Sequence, residues 1–276
     1  IVQAPEGVSL QYTSDVMEKI EKVILEQPEV QATFGVGGFA FSGSSSNSGV
    51  IFTPLKPWAE RRNPNQSAQA VIGRLWGQFA MIPEARIIPV NPPAIRGLGS
   101  FGGFTYQLQD LRSDGDIGSM MEVLGGLLAQ ANQTPGLSRV FTTFTANSPE
   151  LVIDINRNKA QALNVNIDEV FRTLQTAFGA SYVNDFSLQN RTYRVYVQAD
   201  GRFRTHPDDI KQLYVRSANG TMIPLSNLAT ITPSTSPQVI NHFNLFRSIE
   251  VSGSASPGAS SGDAIASMET LSSKVL

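Results

Sequence analysis

The chain has 276 residues, 41% of them hydrophobic, which is enough for two or three domains of ordinary size. Its 21 basic and 23 acidic residues nearly cancel, which argues against a nucleic-acid partner because phosphate binding needs a basic surplus. The absence of cysteine excludes disulfides, thiol catalysis and thiolate metal sites. No apolar run is long enough for a membrane span and no signal peptide opens the chain. Because the sequence begins at Ile1 within a predicted strand and stops at Leu276 within a helical pattern, we expect a soluble fragment excised from a longer protein.

The first 90 residues predict two consecutive strand–helix–strand units. Ser9 precedes apolar residues at helical spacing that end before Pro28, which is typical of a serine-capped amphipathic helix. A second helix is predicted at 67–81. Strands are predicted at 1–4, 30–36, 50–54 and 85–90. This βαβ-βαβ order is typical of a ferredoxin-like sandwich.

The pattern recurs after residue 104, which indicates an internal duplication. With a shift of 107 residues, six positions match: Val16 and Val123, Met17 and Leu124, Ile20 and Leu127, Pro28 and Pro135, Val30 and Leu137, Phe34 and Phe141. The second copy has a predicted strand at 104–109, a helix at 116–131 and a strand that runs to about 144. It resumes with a strand at 240–252 and a helix at 262–274.

About ninety residues interrupt the second copy. They predict a helix at 167–178, strands near 151–155 and 192–198, and a hairpin of 213–216 with 221–224. Asn219-Gly220 between these two strands favours a type I′ turn. The fold class is therefore α+β: two ferredoxin-like units with an α+β module inserted in the second.

Signals for catalysis are weak. The segment GASSG at 258–262 fits G-x-S-x-G, but His206 and His242 both precede Ser260, so a turn before a helix is favoured over a nucleophile. Gly35, Gly37 and Gly38 lack the Lys-Ser/Thr of a P-loop. The two histidines have no metal-ligand spacing. We expect no enzymatic activity, no cofactor and no metal.

Three stretches together resemble one family: GVGGFAFSGSSSNSGVIFTPLKPWAER, SYVNDFSLQNRTYRVYVQADGRFRTHPDDIKQLYVRSANGTMIPLSNLATI and GSASPGASSGDAIASME. They are similar to the second large periplasmic loop of resistance-nodulation-division (RND) multidrug exporters of the AcrB/MexB, or hydrophobe/amphiphile, type. The resemblance covers nearly the whole chain. It implies a first porter subdomain at 1–109, a second at 110–147 and 237–276, and a docking subdomain at 148–236.

The resemblance also implies a role. In this family, the region binds amphiphilic drugs and passes them toward an outer-membrane channel, and the energy comes from proton flow through membrane segments outside this chain. The implied partners are a periplasmic adaptor protein, the outer-membrane channel and two further copies in a homotrimer. The implied location is the periplasmic side of a bacterial inner membrane. A stand-alone periplasmic binding or adaptor protein is the alternative, and a hydrolase using Ser260 is a third hypothesis.

The glycine- and serine-rich loop 37–49 carries two phenylalanines, which must have a pocket or move, because an apolar ring left in water forgoes burial. The resemblance implies that this is the switch loop between an entrance pocket and a deep pocket, with Gly37, Gly38, Phe39, Phe41, Gly43 and Gly49 as switch residues. Matching positions imply a deep-pocket set of Phe34, Val36, Phe39, Phe41 and Phe52. The implied entrance set is Gln3, Phe104, Tyr106, Leu108, Phe141 and Thr143. Outside the loop pair, a core or strand-face role remains open for each.

This sequence departs from the family in two places. Phe141 stands where relatives often carry a cation, and residues 44–46 lack the charge that is common at the loop centre. Both departures remove charge from the implied drug path, so the resemblance does not imply a preference for anionic drugs in this protein. The methionine cluster of the metal-exporting branch is absent from the matching positions.

Overall fold

The computed structural model describes residues 1–41, 43–93, 101–112 and 116–275. The helices are α1 (Leu10–Leu25), α2 (Ala68–Phe79), α3 (Ile117–Ala131), α4 (Arg157–Ala162), α5 (Ile167–Leu174) and α6 (Ser261–Val275). The strands are β1 (Val2–Gln3), β2 (Phe34–Gly37), β3 (Ser48–Phe52), β4 (Arg86–Ile87), β5 (Phe104–Asp110), β6 (Leu137–Phe141), β7 (Ser148–Ile155), β8 (Ser181–Leu188), β9 (Arg191–Val197), β10 (Tyr214–Arg216), β11 (Met222–Pro224), β12 (Ala229–Ser236), β13 (Asn241–Phe243) and β14 (Phe246–Ala255). The predicted α+β class is confirmed.

Two compact units make up the described chain: Ile1–Ser148 with Thr235–Leu276, and Pro149–Ser234. Parts of the predicted segments lie outside the described residues. These parts are Ser42 of the loop, residues 94–100 of the first porter subdomain, and residues 113–115 and Leu276 of the second.

The first repeat forms a four-stranded antiparallel sheet in the order β2-β3-β1-β4, which is the ferredoxin-like order. The Ser9 hydroxyl accepts a hydrogen bond from the Tyr12 N–H at 3.2 Å and so caps α1, as predicted. Ile20 of α1 and Leu75 of α2 pack with Val2 and Ile87 in one buried cluster. Strands β1, β2 and β4 are shorter than predicted, whereas β3 has the predicted length but begins two residues earlier. Val30 forms only an isolated bridge with Leu55 before β2 begins.

Glycines decide which face of this sheet meets the helices. A Cβ on Gly35 or on Gly49 would collide with the Met17 side chain of α1, so α1 lies directly on the backbone of β2 and β3. Because side chains alternate along a strand, Phe34 and Phe52 project from the opposite face. Their rings stack there at 6.3 Å between centroids. This face of the sheet is therefore aromatic and only partly covered.

The second repeat has β14 at its centre. β14 pairs with β5 from Arg247–Asp110 to Gly253–Phe104, and with β6 on its other side. Helices α3 and α6 cover one face, and Leu124, Leu127 and Met268 are fully buried there. The strand predicted at 240–252 is in fact a hairpin of β13 and β14. Asn244 and Leu245 have φ values of 50° and 70°, which fit a two-residue turn.

The unit Pro149–Ser234 contains three strand pairs, β7 with β12, β8 with β9, and β10 with β11, together with α4 and α5. The helix predicted at 167–178 ends at Leu174 and widens into a π turn at Gln175–Gly179. The side chains that form its buried core are Ala160, Val165, Val170, Ile210, Val215, Leu225 and Leu228.

The hairpin at Asn219-Gly220 is confirmed, but the predicted type I′ turn is wrong. A type I′ turn needs positive φ at both central residues, and here Gly220 has a φ of 84° whereas Asn219 has no positive φ. The Gly220 N–H donates to the Ser217 carbonyl, and the Ser217 N–H donates to the Thr221 carbonyl. These bonds close a three-residue loop with a left-handed glycine at its end. Two consecutive positive φ values, 49° and 59°, occur at Gln189 and Asn190, in the two-residue turn between β8 and β9.

Candidate functional site: the aromatic loop and two cavities

Loop 37–49 is folded back on itself where the phenylalanines lie. Ala40 and Gly43 exchange backbone hydrogen bonds of 2.8 and 3.1 Å, and Gly38 and Gly43 have φ values of 79° and 147°. A residue with a Cβ is strained at such φ values, so the glycines permit this tight turn. Phe39 and Phe41 flank Ala40, and Phe41 remains half exposed.

The second half of the loop is tied to the first repeat. The Thr13 hydroxyl donates to the Ser46 carbonyl at 2.7 Å, and the Ser46 hydroxyl donates to the Val8 carbonyl at 2.8 Å. The Asn47 amide donates to the Ala4 carbonyl at 3.1 Å. These bonds hold residues 46–47 in place, whereas the bonds of the Ala40–Gly43 turn lie within the turn itself. The loop therefore has an anchored half and a half that carries the rings.

A chain of aromatic rings extends from the loop to the second repeat. The centroids of Phe39 and Phe41 lie 5.9 Å apart, and those of Phe41 and Phe101 lie 5.4 Å apart with the planes at 86°. Phe101 in turn lies 5.8 Å from Phe141 on β6. Edge-to-face and tilted pairs at these distances are favourable beyond the area they bury.

Two cavities of Ile1–Ser148 with Thr235–Leu276 meet at these rings. One, of about 390 Å³, has a mixed lining that is more polar than apolar. It is lined by Ala40, Phe41, Gly43, Ser44, Ser45, Asn47 and Ser48 of the loop, by residues 142–145 and by the β13–β14 hairpin. The other, of about 610 Å³, is largely apolar and contains the Phe34–Phe52 stack. Phe41 and Phe101 line both cavities. The edge-to-face pair therefore stands in the partition between a polar and an apolar space.

The structure brings part of the predicted deep-pocket set together. Phe34, Phe41 and Phe52 line the apolar cavity, and Phe39 contacts Phe41. Val36 lies two residues after Phe34 and so shares its face of β2.

The predicted entrance set is divided. Gln3 and Thr143 line the polar cavity, and the Gln3 amide donates to the Thr143 carbonyl at 3.4 Å. Phe141 contacts Phe101 instead of lining the polar cavity. Phe104 and Leu108 are only 6% and 4% exposed and belong to the buried cluster of the second repeat, and Tyr106 packs against that cluster. These three residues occupy core positions, which is the role that the sequence left open.

Sequence reasoning missed Phe101. The available signal was the segment SFGGF, in which a phenylalanine stands next to two glycines as it does in loop 37–49.

The polar cavity carries one carboxylate, that of Glu250, whose Oε2 accepts a hydrogen bond from the Gln107 amide at 3.3 Å. The Thr142 hydroxyl donates to the Glu250 carbonyl at 2.7 Å and fixes the backbone of β14 beside it. The Arg86 guanidinium donates to the Thr142 carbonyl at 3.4 Å, and burial lowers its pKa from the usual value. Amides, hydroxyls and one carboxylate suit ligands with hydrogen-bond donors.

The G-x-S-x-G segment is a helix cap. The Ser260 hydroxyl donates to the Asp263 carboxylate at 2.8 Å and accepts from the Asp263 N–H at 3.1 Å, and the Ser260 N–H also donates to that carboxylate. This reciprocal arrangement is a capping box at the start of α6. Hydrogen bonding to Ser260 lowers the pKa of Asp263.

In the described ranges, no group of three or more His, Asp or Glu residues is placed to hold a metal ion. None of the helices described here has the length and apolar character needed to cross a membrane.

Comparison with known proteins places the whole chain in one family. The model of the AcrB/AcrD/AcrF family matches residues 1–276. The chain is similar to the multidrug export protein AcrF of Escherichia coli K12, with 38% identity over all of this chain and 27% of the relative. It is 37% identical to the multidrug resistance protein MdtF of the same strain, over 99% of this chain and 26% of the relative.

The chain is also 34% identical to the toluene efflux pump membrane transporter TtgB of Pseudomonas putida, over 99% of this chain and 26% of that protein. It thus spans about a quarter of the length of the curated relatives that it matches. The resemblance to RND exporters is confirmed, and the chain belongs to the AcrB/AcrD/AcrF family.

Proposed function

We propose that this chain is the periplasmic drug-binding and conducting part of an RND multidrug exporter, in which loop 37–49 is the switch between two pockets. Family membership supports the transport role, because the named relatives are transporters and not enzymes. The observation that carries the switch is the position of Phe41, which sits on a glycine turn and lines both cavities.

The two cavities suit an amphiphilic ligand that first binds while still hydrated and is then buried. In the polar cavity, the side chains of Gln3, Gln107 and Glu250 offer hydrogen bonds to a hydrated ligand. In the apolar cavity, Phe34 and Phe52 offer stacked rings, which hold varied apolar groups through contact area without demanding fixed polar geometry. A ligand that moves from the first to the second exchanges hydration for burial.

The proposed subdomains are those implied by the family: a first porter subdomain at 1–109, a second at 110–147 and 237–276, and a docking subdomain at 148–236. The separate unit Pro149–Ser234 supports the docking insert. The common order of three strands in the two repeats, β2-β3-β1 and β6-β14-β5, supports the porter pair. An adaptor protein, an outer-membrane channel and two further copies of the full-length protein are the proposed partners, at the periplasmic side of the inner membrane.

The test uses the full-length protein in a bacterial strain that lacks exporters of this family. Phe39→Ala with Phe41→Ala is expected to narrow resistance to bulky amphiphilic drugs while the amount of protein in the membrane stays unchanged. The rings lie on a partly exposed turn outside the buried clusters, so folding does not depend on them.

Phe171→Ala is the matched control. Phe171 is also about half exposed, but it lies on α5 of the other unit, so its loss is expected to leave resistance unchanged. If the double variant is absent from the membrane, the loop is structural and the switch proposal is wrong.

A further inference from the structure

We propose that Phe101 is the stationary half of the gate between the two cavities, against which Phe41 closes, and that the size of this ring helps to set which ligands pass. This inference rests on the proposed function. It assigns a specificity role to a residue that lies 60 positions from Phe41 in the sequence and meets it only through the fold.

The backbone next to Phe101 is held in place. The Gly102 N–H donates to the Asn91 carbonyl at 2.8 Å. A Cβ on Gly102 would lie 3.2 Å from the carbonyl oxygens of Asn91 and Pro92, and a Cβ on Gly103 would overlap the carbonyl of Gly253 on β14. Residues 102 and 103 are therefore wedged between two backbones, which leaves little freedom to the residue before them.

The ring of Phe101 also has a fixed neighbour. Phe141 is 7% exposed and belongs to β6, which pairs with the central strand β14. The Phe101 and Phe141 centroids lie 5.8 Å apart. A buried strand residue on one side and a wedged backbone on the other hold Phe101 in one position.

Phe41 differs in each of these respects. It is half exposed, and its turn is closed by hydrogen bonds between Ala40 and Gly43, which are its near neighbours in the chain. Gly38 and Gly43, both with positive φ, flank the turn and lower the cost of other backbone states. The pair thus joins one fixed ring to one ring on a deformable turn.

The geometry of the Phe41–Phe101 pair sets the width of ligand that can pass between the two cavities. The edge-to-face contact at 5.4 Å closes the partition between the polar and the apolar cavity. Removing the Phe101 ring widens this passage even when Phe41 does not move. A narrow planar ligand needs only a small displacement of Phe41, whereas a bulky ligand benefits from the wider passage.

The first arm of the test needs no transport. The chain has no cysteine, so Phe39→Cys gives a single thiol next to Phe41. In this background, Phe101→Ala is expected to raise the rate of maleimide alkylation about two- to tenfold, the factor given by loss of one edge-to-face pair. Phe101→Tyr, which keeps the ring, and Phe171→Ala are expected to leave the rate unchanged.

The second arm uses the full-length transporter and compares resistance to a narrow planar dye with resistance to a bulky amphiphile. Phe101→Ala is expected to shift the ratio of the two toward the bulky compound, and Phe101→Tyr is expected to keep the original ratio. An unchanged ratio, or an equal loss for both compounds, overturns the specificity role.

The two arms separate the inference from the proposed function. If the wild-type protein exports neither compound, the proposed function fails, and the specificity role fails with it. The alkylation rates still decide whether Phe101 holds the loop. If the wild type exports both compounds but Phe101→Ala changes neither the ratio nor the alkylation rate, the proposed function stands and the Phe101 inference is overturned.

Discussion

The guanidinium carbon of Arg139 lies 5.9 Å from the centroid of the Trp76 indole, so a side chain of the second repeat covers a helix of the first. Arg139 has a φ of 53° in β6, where the pairing of β6 with β14 shifts register. Its Nη2 would lie 4.0 Å from a Cβ on Gly73, which is one turn before Trp76 on α2. The bulge in β6 of the second repeat thus places the Arg139 guanidinium over the Trp76 ring of the first repeat.

We expect Arg139→Ala to expose Trp76. The measurement is acrylamide quenching of tryptophan fluorescence in a Trp58→Phe background, because the chain has two tryptophans. Quenching should rise in Arg139→Ala, and stability should fall by about 0.5–1 kcal/mol, the usual size of a partly exposed cation–π contact. Arg202→Ala, which removes a similar contact with Phe203, is the control. Unchanged quenching in Arg139→Ala would contradict the contact.

A second expectation concerns an ion pair in the first repeat that joins a buried carboxylate to a partly exposed arginine. An Arg74 Nη2 lies 2.6 Å from Glu29 Oε2, and the Glu29 side chain is only 4% exposed. Arg74→Met leaves this carboxylate without its cation, and because Arg74 is itself 39% exposed, the loss should be about 1–3 kcal/mol in urea unfolding, the cost of a buried acceptor left unsatisfied. The exposed pair Lys22–Glu18 is the matched control, and Lys22→Met should cause no measurable loss. Equal effects of the two substitutions would show that Glu29 finds another partner.

The turn between β13 and β14 offers a gain in stability. Leu245 has a φ of 70° and is 94% exposed. Its left-handed backbone conformation is unfavourable for a residue with a Cβ, and no burial of the side chain compensates for this. Leu245→Gly should raise the free energy of unfolding by roughly 0.5–1 kcal/mol, the left-handed penalty less the entropy of glycine. Gly220→Ala, at a φ of 84°, should do the reverse. A lower urea midpoint for Leu245→Gly would refute the strain argument.

A pH dependence is expected at the end of β5. The Asp110 carboxylate accepts two hydrogen bonds from the Arg112 guanidinium, at 2.8 and 3.1 Å, and this pairing lowers the pKa of Asp110. A lowered folded-state pKa stabilises the fold above the ordinary pKa of about 3.9, and that stability is lost as the pH falls through the lower folded value. The urea midpoint of the wild type should therefore exceed that of Asp110→Asn near neutral pH and approach it in acid. A constant difference between the two would contradict the linkage.

The isolated chain should bind drugs weakly. We propose that another part of the full-length protein supplies the second wall of the pockets, so a ligand bound to this chain alone meets one wall only. Good sites bury 70–90% of a ligand. Losing half the burial of a ligand of about 400 Å² costs at most roughly 5 kcal/mol, more than three decades of affinity. Calorimetry with amphiphilic drugs tests this, and saturable low-micromolar binding that Phe41→Ala abolishes would contradict it.

Helical periodicity was enough to predict much of the fold. Ser9 and Asp116 cap α1 and α3 at the helix starts that the sequence predicts. A serine or aspartate directly before apolar residues at helical spacing is a reliable sign of a helix start, because its side chain accepts a hydrogen bond from a free N–H of the first turn. The turn at Asn219 could not be inferred from its dipeptide alone, since loop length also selects the turn type.

The site was only partly predictable. Strand alternation in FTYQLQD places Phe104, Tyr106 and Leu108 on one apolar face, which the helices cover, so this local pattern alone was enough to predict the core role that the sequence left open for them. Phe101 belongs to no helical or strand pattern of apolar residues in the sequence. Its role depends on contacts with Phe41 and Phe141, which the chain brings together only after both repeats have folded.

The most direct test of the central claim is a structure of the full-length protein with a bound amphiphilic drug. We expect drug density against the Phe34–Phe52 stack or beside Glu250, with Phe41 displaced from Phe101 whenever the ligand lies in the passage between the two cavities. Drug density that lies wholly in other parts of the polypeptide, with the Phe41–Phe101 contact intact in every state of a transporting protein, would contradict the account.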